Sequence, residues 1–298
     1  MQTAAIIVPQ DNIFFSDLAK ALVMSFMELG WNVMWLGDKD QIREYARQID
    51  LAVVLSPFDY KDIRKILPRT TKVLYQLEAL PWPQCVHLKR RKYWKWEERL
   101  EAMNSYDAVW EADLANIKEH YRYYNIRRPL IHMPVGYSSI FELDKRVSQR
   151  NIALFIGEDG NHPRVKPRRR IVRRVQSLIP KQFKIVKGRY GDKAKQSAKN
   201  ARINLNIHQN RMQNLESLRV VGLLMSNKCF VMTEPVLHSP FENNKHWVVV
   251  EGKDMAAEIK YYLEMATWEV DRIAKEGYNF VKNHYTMTQH LKKALEQL

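Results

Sequence analysis

The chain has 298 residues, enough for two domains of ordinary size, and its 46% hydrophobic content supports a full core and excludes general disorder. It contains no apolar run near the length of a membrane-spanning helix, no basic signal-peptide segment, and only two cysteines, which excludes a disulfide framework and a cysteine-rich zinc site. These features predict a cytoplasmic protein. The 48 Lys and Arg residues exceed the 33 acids, for a net charge of +15, which favours an anionic partner: nucleic acid, an anionic membrane surface or phosphorylated small molecules.

Apolar runs alternate with amphipathic segments through the first half of the chain. Residues 4–9 form a short apolar run typical of a strand buried on both faces, and Ser16 is placed to cap the helix that follows and ends at Gly30. The alternation continues to a last strand and turn in residues 129–137. Strands that alternate with short helices predict right-handed crossovers and a parallel sheet with helices on both faces.

The same alternation restarts near Asp144, beginning with a strand in residues 151–157 and an amphipathic helix in residues 167–179. We therefore predict two consecutive doubly wound α/β domains, residues 1–145 and residues 146–280. A cleft between two such domains is the default ligand site.

Four polar residues interrupt the apolar second domain: His208, Glu216, Arg219 and Glu234. His208 and Glu234 follow two predicted strands, and the other two lie three residues apart in the first turns of the predicted helix that joins them. Because ligands bind beyond the carboxyl ends of parallel strands, this quartet should share one rim with the helix start near Asn214, an anion site. The alternatives are an intrahelical ion pair, a hydrogen-bonded loop histidine and a turn-capping glutamate.

The segments INLNIH, NLESLR and CFVMTE (within residues 203–234) resemble the carboxy-terminal domain of nucleotide-sugar glycosyltransferases of the GT-B fold, and of their CgeB-like group. VLYQLEAL and HMPVGY in the first half resemble segments of the same enzymes in the same order. The resemblance implies two Rossmann-like domains facing across a cleft, with donor in the second and acceptor in the first. It also implies no essential metal, no cofactor beyond the nucleotide-sugar co-substrate, and a last helix, residues 281–298, that packs back on the first domain.

Carried over by position, the resemblance implies a donor pocket for a UDP- or GDP-sugar. The loop of residues 157–164 and a nearby cation would approach the donor diphosphate. The implied donor-binding residues are Gly157, Arg189, His208, Glu216, Arg219 and Glu234.

One departure leaves the stereochemical outcome open. Retaining members often carry two glutamates eight positions apart, and the corresponding positions here are Asn214 and Gly222. An inverting enzyme would need a base from the first domain, where Asp11 and Glu78 rank above Glu111 near predicted strand ends. For Asp11 the alternative is an ordinary turn residue.

Two basic segments remain. Residues 164–174 hold seven cations, and residues 87–99 mix cations with aromatic side chains, which favours an anionic acceptor such as modified DNA or a surface-saccharide precursor. The alternatives are solvated helix faces or docking to anionic lipid. A non-enzymatic nucleic-acid-binding protein on a Rossmann-like scaffold is the competing function. The predicted acceptor-binding residues are Arg168, Arg169, Arg170, Lys92 and Trp94.

Overall fold

The computed structural model of the chain describes residues 1–8, 12, 15–55, 60–77, 94–145, 147–158, 166–209 and 212–298. The chain divides into two compact units, a first unit formed by Met1–Val135 with Met287–Leu298, and a second unit formed by Gly136–Thr286. Each unit is built on a parallel sheet, which confirms the predicted doubly wound α/β class. No helix in the described ranges is long and apolar enough to cross a membrane.

The first unit contains a six-stranded sheet in the order β2-β1-β3-β4-β5-β6. Strand β1 lies inside this sheet, between β2 and β3, and its residues 4–7 are fully buried, as expected of a strand covered on both faces. The strands are β1 (Thr3–Ile7), β2 (Asn32–Leu36), β3 (Leu51–Val54), β4 (Thr71–Gln76), β5 (Ala108–Glu111) and β6 (Leu130–His132). The helices are α1 (Ser16–Glu28), α2 (Lys39–Tyr45), α3 (Tyr60–Ile66), α4 (Trp94–Ser105) and α9 (Met287–Leu295), with a π-helix at Asn116–His120.

Two details of helix α1 bear on the sequence predictions. Ser16 is the first helical residue, and no side chain caps the helix, so the predicted cap at Ser16 is wrong. A capping residue must precede the helix with non-helical backbone, as Asp38 does for α2, where its carboxylate accepts from the backbone N–H groups of Asp40 and Gln41.

Helix α9 packs against α1, and the Thr288 hydroxyl lies 3.1 Å from that of Ser25.

The second unit contains a five-stranded sheet in the order β11-β10-β9-β7-β8. Its strands are β7 (Arg150–Ile156), β8 (Phe183–Val186), β9 (Ala201–Asn206), β10 (Val231–Thr233) and β11 (Val248–Val249). Its helices are α5 (Lys166–Leu178), α6 (Gly191–Lys199), α7 (Met255–Glu264) and α8 (Thr267–His284). Buried side chains of α5, α7 and the first half of α8 share one core with the sheet, while α6 belongs to the core on its other face.

The connection from β9 to β10 differs from the predicted helix. A π-helix spans Leu218–Leu224 and continues as a 3₁₀ turn at Met225–Asn227, so Asn214 and Glu216 precede the helix. The backbone N–H groups of Arg219 and Val220 both donate to the Glu216 carbonyl at 2.9 Å. The helix therefore begins later than the predicted start near Asn214, and the anion site predicted there stays a prediction.

Candidate functional site

The candidate site lies at the carboxyl ends of β9 and β10. These strands pair in parallel, with Asn206 opposite Thr233, so His208 and Glu234 emerge side by side just beyond the sheet. The backbone N–H of His208 donates to the Glu234 carboxylate at 2.8 Å. The strand-end rule thus placed these two residues correctly.

His208 is oriented by a second hydrogen bond. Its Nε2 lies 2.8 Å from the carbonyl oxygen of Pro235. Because a carbonyl oxygen only accepts, Nε2 carries a proton in this contact, and in the neutral form of the ring Nδ1 is the acceptor. The His208 side chain is buried, and its Nδ1 has no hydrogen-bond partner among the described residues.

Glu216 binds two guanidinium groups, one on each carboxylate oxygen. Arg168 donates from Nη2 to Oε1 at 2.9 Å, and Arg219 donates from Nη2 to Oε2 at 2.9 Å. The side chains of Arg168 and Arg219 are 5% and 17% exposed, so both cations depend on this carboxylate for compensation. Glu216 and Arg219 form an ion pair, although not the intrahelical pair of the sequence alternative, because Glu216 lies before the helix; Arg168 extends the pair.

Both guanidinium groups rest on one aromatic ring. The Arg168 and Arg219 guanidinium carbons each lie 5.4 Å from the centre of the Phe155 ring. Arg168 also donates from Nε to the Ile207 carbonyl at 2.9 Å, which ties helix α5 to the end of β9. Arg219 keeps a buried Nη1 without a hydrogen-bond partner among the described residues. A buried donor with no partner is costly to a protein, which favours a ligand that satisfies it.

Gly157, directly after β7, is needed for this arrangement. Its φ is +150°, and a Cβ at this position would lie 3.1 Å from the Phe155 ring and 3.3 Å from Nη2 of Arg219. A side chain would therefore press on the ring and on the guanidinium it supports. Gly157, which is predicted to approach the donor diphosphate, thus lies beside the arginine that keeps an unsatisfied donor.

The cluster favours an anion. Burial alone would raise the pKa of Glu216, but the Arg219 and Arg168 guanidinium groups outweigh it and hold the pKa below its usual value. Burial raises the pKa of Glu234, which favours its neutral form. Burial also lowers the pKa of Arg219, against the opposing effect of Glu216. Two arginines therefore face one firmly ionised carboxylate, and the excess positive charge attracts an anion.

The remaining predicted site residues lie elsewhere or outside the described residues. Arg189 is exposed and donates from Nη1 to the Ser197 hydroxyl at 2.8 Å, on the α6 side of the sheet. Arg170 is exposed and Arg169 is half-buried, whereas the neighbouring Arg168 is buried in the cluster. Asp11, Glu78 and Lys92 fall outside the described residues, as does the side chain of Trp94.

Arg168 was placed with the acceptor by sequence, yet it contacts the quartet predicted for the donor. The helical period of the sequence already indicates that Arg168 faces inward. Val172 and Val175 follow Arg168 by four and seven residues, and both are fully buried, so the three share the inward face of α5. Phe155 was missed because a buried aromatic residue in a strand looks like ordinary core.

A second group of buried polar residues lies at the end of β5 in the first unit. Glu111 is 1% exposed, and its carboxyl group accepts from the Asn116 amide and the Asp113 backbone N–H at 3.0 Å and from the Tyr121 hydroxyl at 2.5 Å. Burial raises the pKa of Glu111 to about 8, although the Tyr121 and Asn116 hydrogen bonds act in the opposite direction. In the described ranges no cluster of His, Cys, Asp and Glu could hold a metal ion.

Comparison with known proteins gives a family match for residues 166–296 and identifies the fold of the chain. Residues 166–296 match the profile of a family described as glycosyl transferase-like. No curated protein matches the sequence significantly. HepE of Anabaena, solved with UDP and glucose, has a TM-score of 0.67 at 9% identity, covering 100% of both chains.

Two further structures have the same architecture. Sucrose-phosphate synthase from Thermosynechococcus elongatus has a TM-score of 0.66 at 9% identity, covering 100% of this chain and 99% of that chain. An alpha-glucosyltransferase solved with UDP and a 13-mer DNA containing a HMU base has a TM-score of 0.61 at 10% identity, covering 99% of this chain and 98% of that chain. These likenesses show the GT-B fold that the sequence resemblance implied.

Proposed function

We propose that this protein, a glycosyltransferase with a glycosyl transferase-like domain at residues 166–296, uses a UDP-sugar donor that binds at the rim of β9 and β10. The observation that carries the proposal is the pair of buried guanidinium groups held by Glu216. Their excess positive charge and the unsatisfied Nη1 donor of Arg219 fit a diphosphate. Arginine is well matched to phosphate because its fork of donors binds two oxygens at once.

The other residues of the rim would orient the rest of the donor. The acceptor nitrogen Nδ1 of His208 suits a sugar hydroxyl, which can donate to it. The carboxyl group of Glu234 lies at the same rim and suits a second hydroxyl of the sugar or the ribose. UDP is preferred over GDP because HepE and the alpha-glucosyltransferase were both solved with UDP.

In the transfer step, the bond from the anomeric carbon to the diphosphate oxygen breaks and a bond to an acceptor hydroxyl forms. The leaving UDP gains negative charge, which Arg219 and Arg168 would stabilise without a metal ion. The acceptor hydroxyl loses its proton to a base or to the departing phosphate. Asp11 and Glu78 remain the proposed bases for an inverting reaction.

For the acceptor, the net charge of +15 favours an anionic molecule, either modified DNA or a surface-saccharide precursor. The alpha-glucosyltransferase solved with UDP and DNA supports the first of these. Arg169, Arg170, Lys92 and Trp94 remain the proposed acceptor residues, whereas Arg168 is reassigned to the donor.

UDP and UDP-sugars should protect the protein against heat. A ligand at about a hundred times its Kd adds about 2.7 kcal/mol of stability, which is about 5–10 °C in Tm for a unit of this size. A thermal-shift screen of UDP, GDP and their sugars measures this, followed by a donor hydrolysis assay on each compound that shifts Tm. If neither UDP nor any UDP-sugar raises Tm while duplex DNA does, the donor assignment is wrong and the non-enzymatic alternative is favoured.

A further inference from the structure

Helix α5 has one surface that the donor site does not use. Residues 166–182 contain no acid, and the exposed cations Arg170, Arg173, Arg174 and Lys181 project from the helix and the turn after it. None of the four makes an ion pair within the described part of the chain. The opposite, apolar face of α5 is buried in the core. The four cations are therefore exposed to an external anion and have no ion-pair partner among the described residues.

Three exposed apolar side chains lie on helices α5, α7 and α8 of the same unit. Leu178 at the end of α5 is 52% exposed, Tyr261 in the last turn of α7 is 56% exposed, and Trp268 at the start of α8 is 69% exposed. Helices α5 and α7 pack against each other on the same face of the sheet. Their outward side chains therefore belong to one surface layer of the second unit.

Hydrogen bonds place these residues at the amino ends of the strands. The turn after α5 is fixed by the Gln182 carbonyl, which accepts from Ala153 in β7 at 2.8 Å. The turn between α7 and α8 is fixed by Arg202 at the start of β9, which donates to the Met265 carbonyl at 2.5 Å and to Asn151 at 3.4 Å. Both turns thus lie at the rim opposite the donor site within this unit.

We propose that this surface, the amino-rim patch, docks the protein on an anionic phospholipid bilayer. The amino-rim patch consists of Arg173, Arg174, Leu178, Lys181, Tyr261 and Trp268.

The chemistry of the patch favours lipid over nucleic acid. Clustered basic residues are attracted to anionic headgroups, with about 1 kcal/mol for each Lys or Arg near the surface. Trp and Tyr prefer the interface between water and hydrocarbon, and Leu gains from burial there. Nucleic acid offers no hydrocarbon layer in which the exposed Leu178 could be buried. On α7 and the start of α8, the exposed Lys260 adds one cation, Glu258, Glu264 and Asp271 add three acids, and Glu269 is paired with Arg272. The four cations of α5 and its following turn keep the layer positively charged.

The proposal is tested by sedimentation of the full chain with vesicles. Binding to vesicles of phosphatidylglycerol and phosphatidylcholine is expected, with little binding to phosphatidylcholine alone and weaker binding at high salt. The double variant Arg173→Glu/Arg174→Glu should bind at least 30-fold more weakly, at roughly 1 kcal/mol for each lost cation. Trp268→Ala should bind about 5-fold more weakly, since an interfacial aromatic anchor is lost.

A matched control separates the patch from net charge. Lys20→Glu/Arg47→Glu makes the same charge change at exposed positions of the first unit and should bind anionic vesicles within about 2-fold of the unchanged protein. Circular dichroism checks that every variant is folded. Equal loss in both double variants overturns the patch, as does absence of vesicle binding by the unchanged protein. The proposal also fails if Arg173→Glu/Arg174→Glu lowers affinity for duplex DNA by anisotropy but not for vesicles. None of these results depends on UDP binding, so the donor assignment stands or falls separately.

Discussion

Replacement of Glu216 by Ala should lower the free energy of unfolding by about 3 kcal/mol, because it leaves Arg168 and Arg219 buried without their shared carboxylate. The same change should weaken UDP binding at least 10-fold, about 1.4 kcal/mol, since the two guanidinium groups repel each other and lose their fixed positions. Urea denaturation measures the first effect and titration calorimetry the second.

Two further variants make the Glu216 result specific. Glu216→Gln keeps one acceptor oxygen but no charge, so its stability should fall between those of the unchanged protein and Glu216→Ala. Glu264→Ala removes an exposed glutamate of α7 and should change stability by no more than about 0.5 kcal/mol. If Glu216→Ala is as stable as Glu264→Ala, the carboxylate does not compensate the two arginines.

Stability should fall as pH rises through neutrality, because of Glu111. Its pKa in the folded protein is raised to about 8, above its unfolded value, so the folded state holds a proton that the unfolded chain has already lost. The stabilisation is complete below the unfolded pKa and is lost as pH rises through the folded one. At 1.36 kcal/mol for each pKa unit, the loss is about 5 kcal/mol in total and about 2 kcal/mol between about pH 6.5 and pH 8.

Two buried histidines of the same unit act in the opposite direction at lower pH. Burial lowers the pKa of His132 to about 4 and that of His290 to about 3, so protonation of the unfolded chain below its usual histidine pKa reduces stability. Their contribution is constant above about pH 7, where histidine is neutral in both states. The decrease in the free energy of unfolding above neutral pH therefore reports on Glu111.

Glu111→Gln is the matching variant for the pH experiment. A Gln amide can accept from the Asn116 amide and the Asp113 N–H and donate to the Tyr121 oxygen, as the neutral acid would. When this variant is denatured with urea from about pH 6.5 to pH 8.5, its free energy of unfolding should lack the decrease that ionisation of Glu111 causes in the unchanged protein.

Tyr121→Phe removes a hydrogen bond that lowers the Glu111 pKa, so the decrease in the free energy of unfolding should move to higher pH. Parallel curves for the unchanged protein and Glu111→Gln would contradict a neutral Glu111.

The sequence predicted the two sheets because their strands are short apolar runs that alternate with amphipathic helices. It also predicted that His208 and Glu234 meet, since adjacent parallel strands must end at one rim. The helix between them was predicted to begin too early. A 3.6-residue period cannot reveal that the chain forms a π-helix from Leu218 or that the residues before it stay outside the helix.

Arg168 shows a different limit of sequence reasoning. A run of arginines predicts a charged face, but only the phase of α5 relative to the core separates Arg168 from Arg170. Long-range partners such as the Ile207 carbonyl and the Glu216 carboxylate depend on how α5 crosses the end of β9, which the residues of α5 do not specify. The proposed donor cluster therefore contains a cation that charge counting assigns to another surface.

The most direct test of the donor site is calorimetric titration of UDP into the unchanged protein, Arg219→Ala and Arg173→Ala. Arg219→Ala removes the unsatisfied Nη1 donor yet leaves Glu216 paired with Arg168, so a folded protein with about 30-fold weaker UDP binding is expected. Arg173→Ala removes an exposed arginine of α5 and should bind UDP as the unchanged protein does. Equal UDP affinity in Arg219→Ala and the unchanged protein would contradict donor binding at this rim.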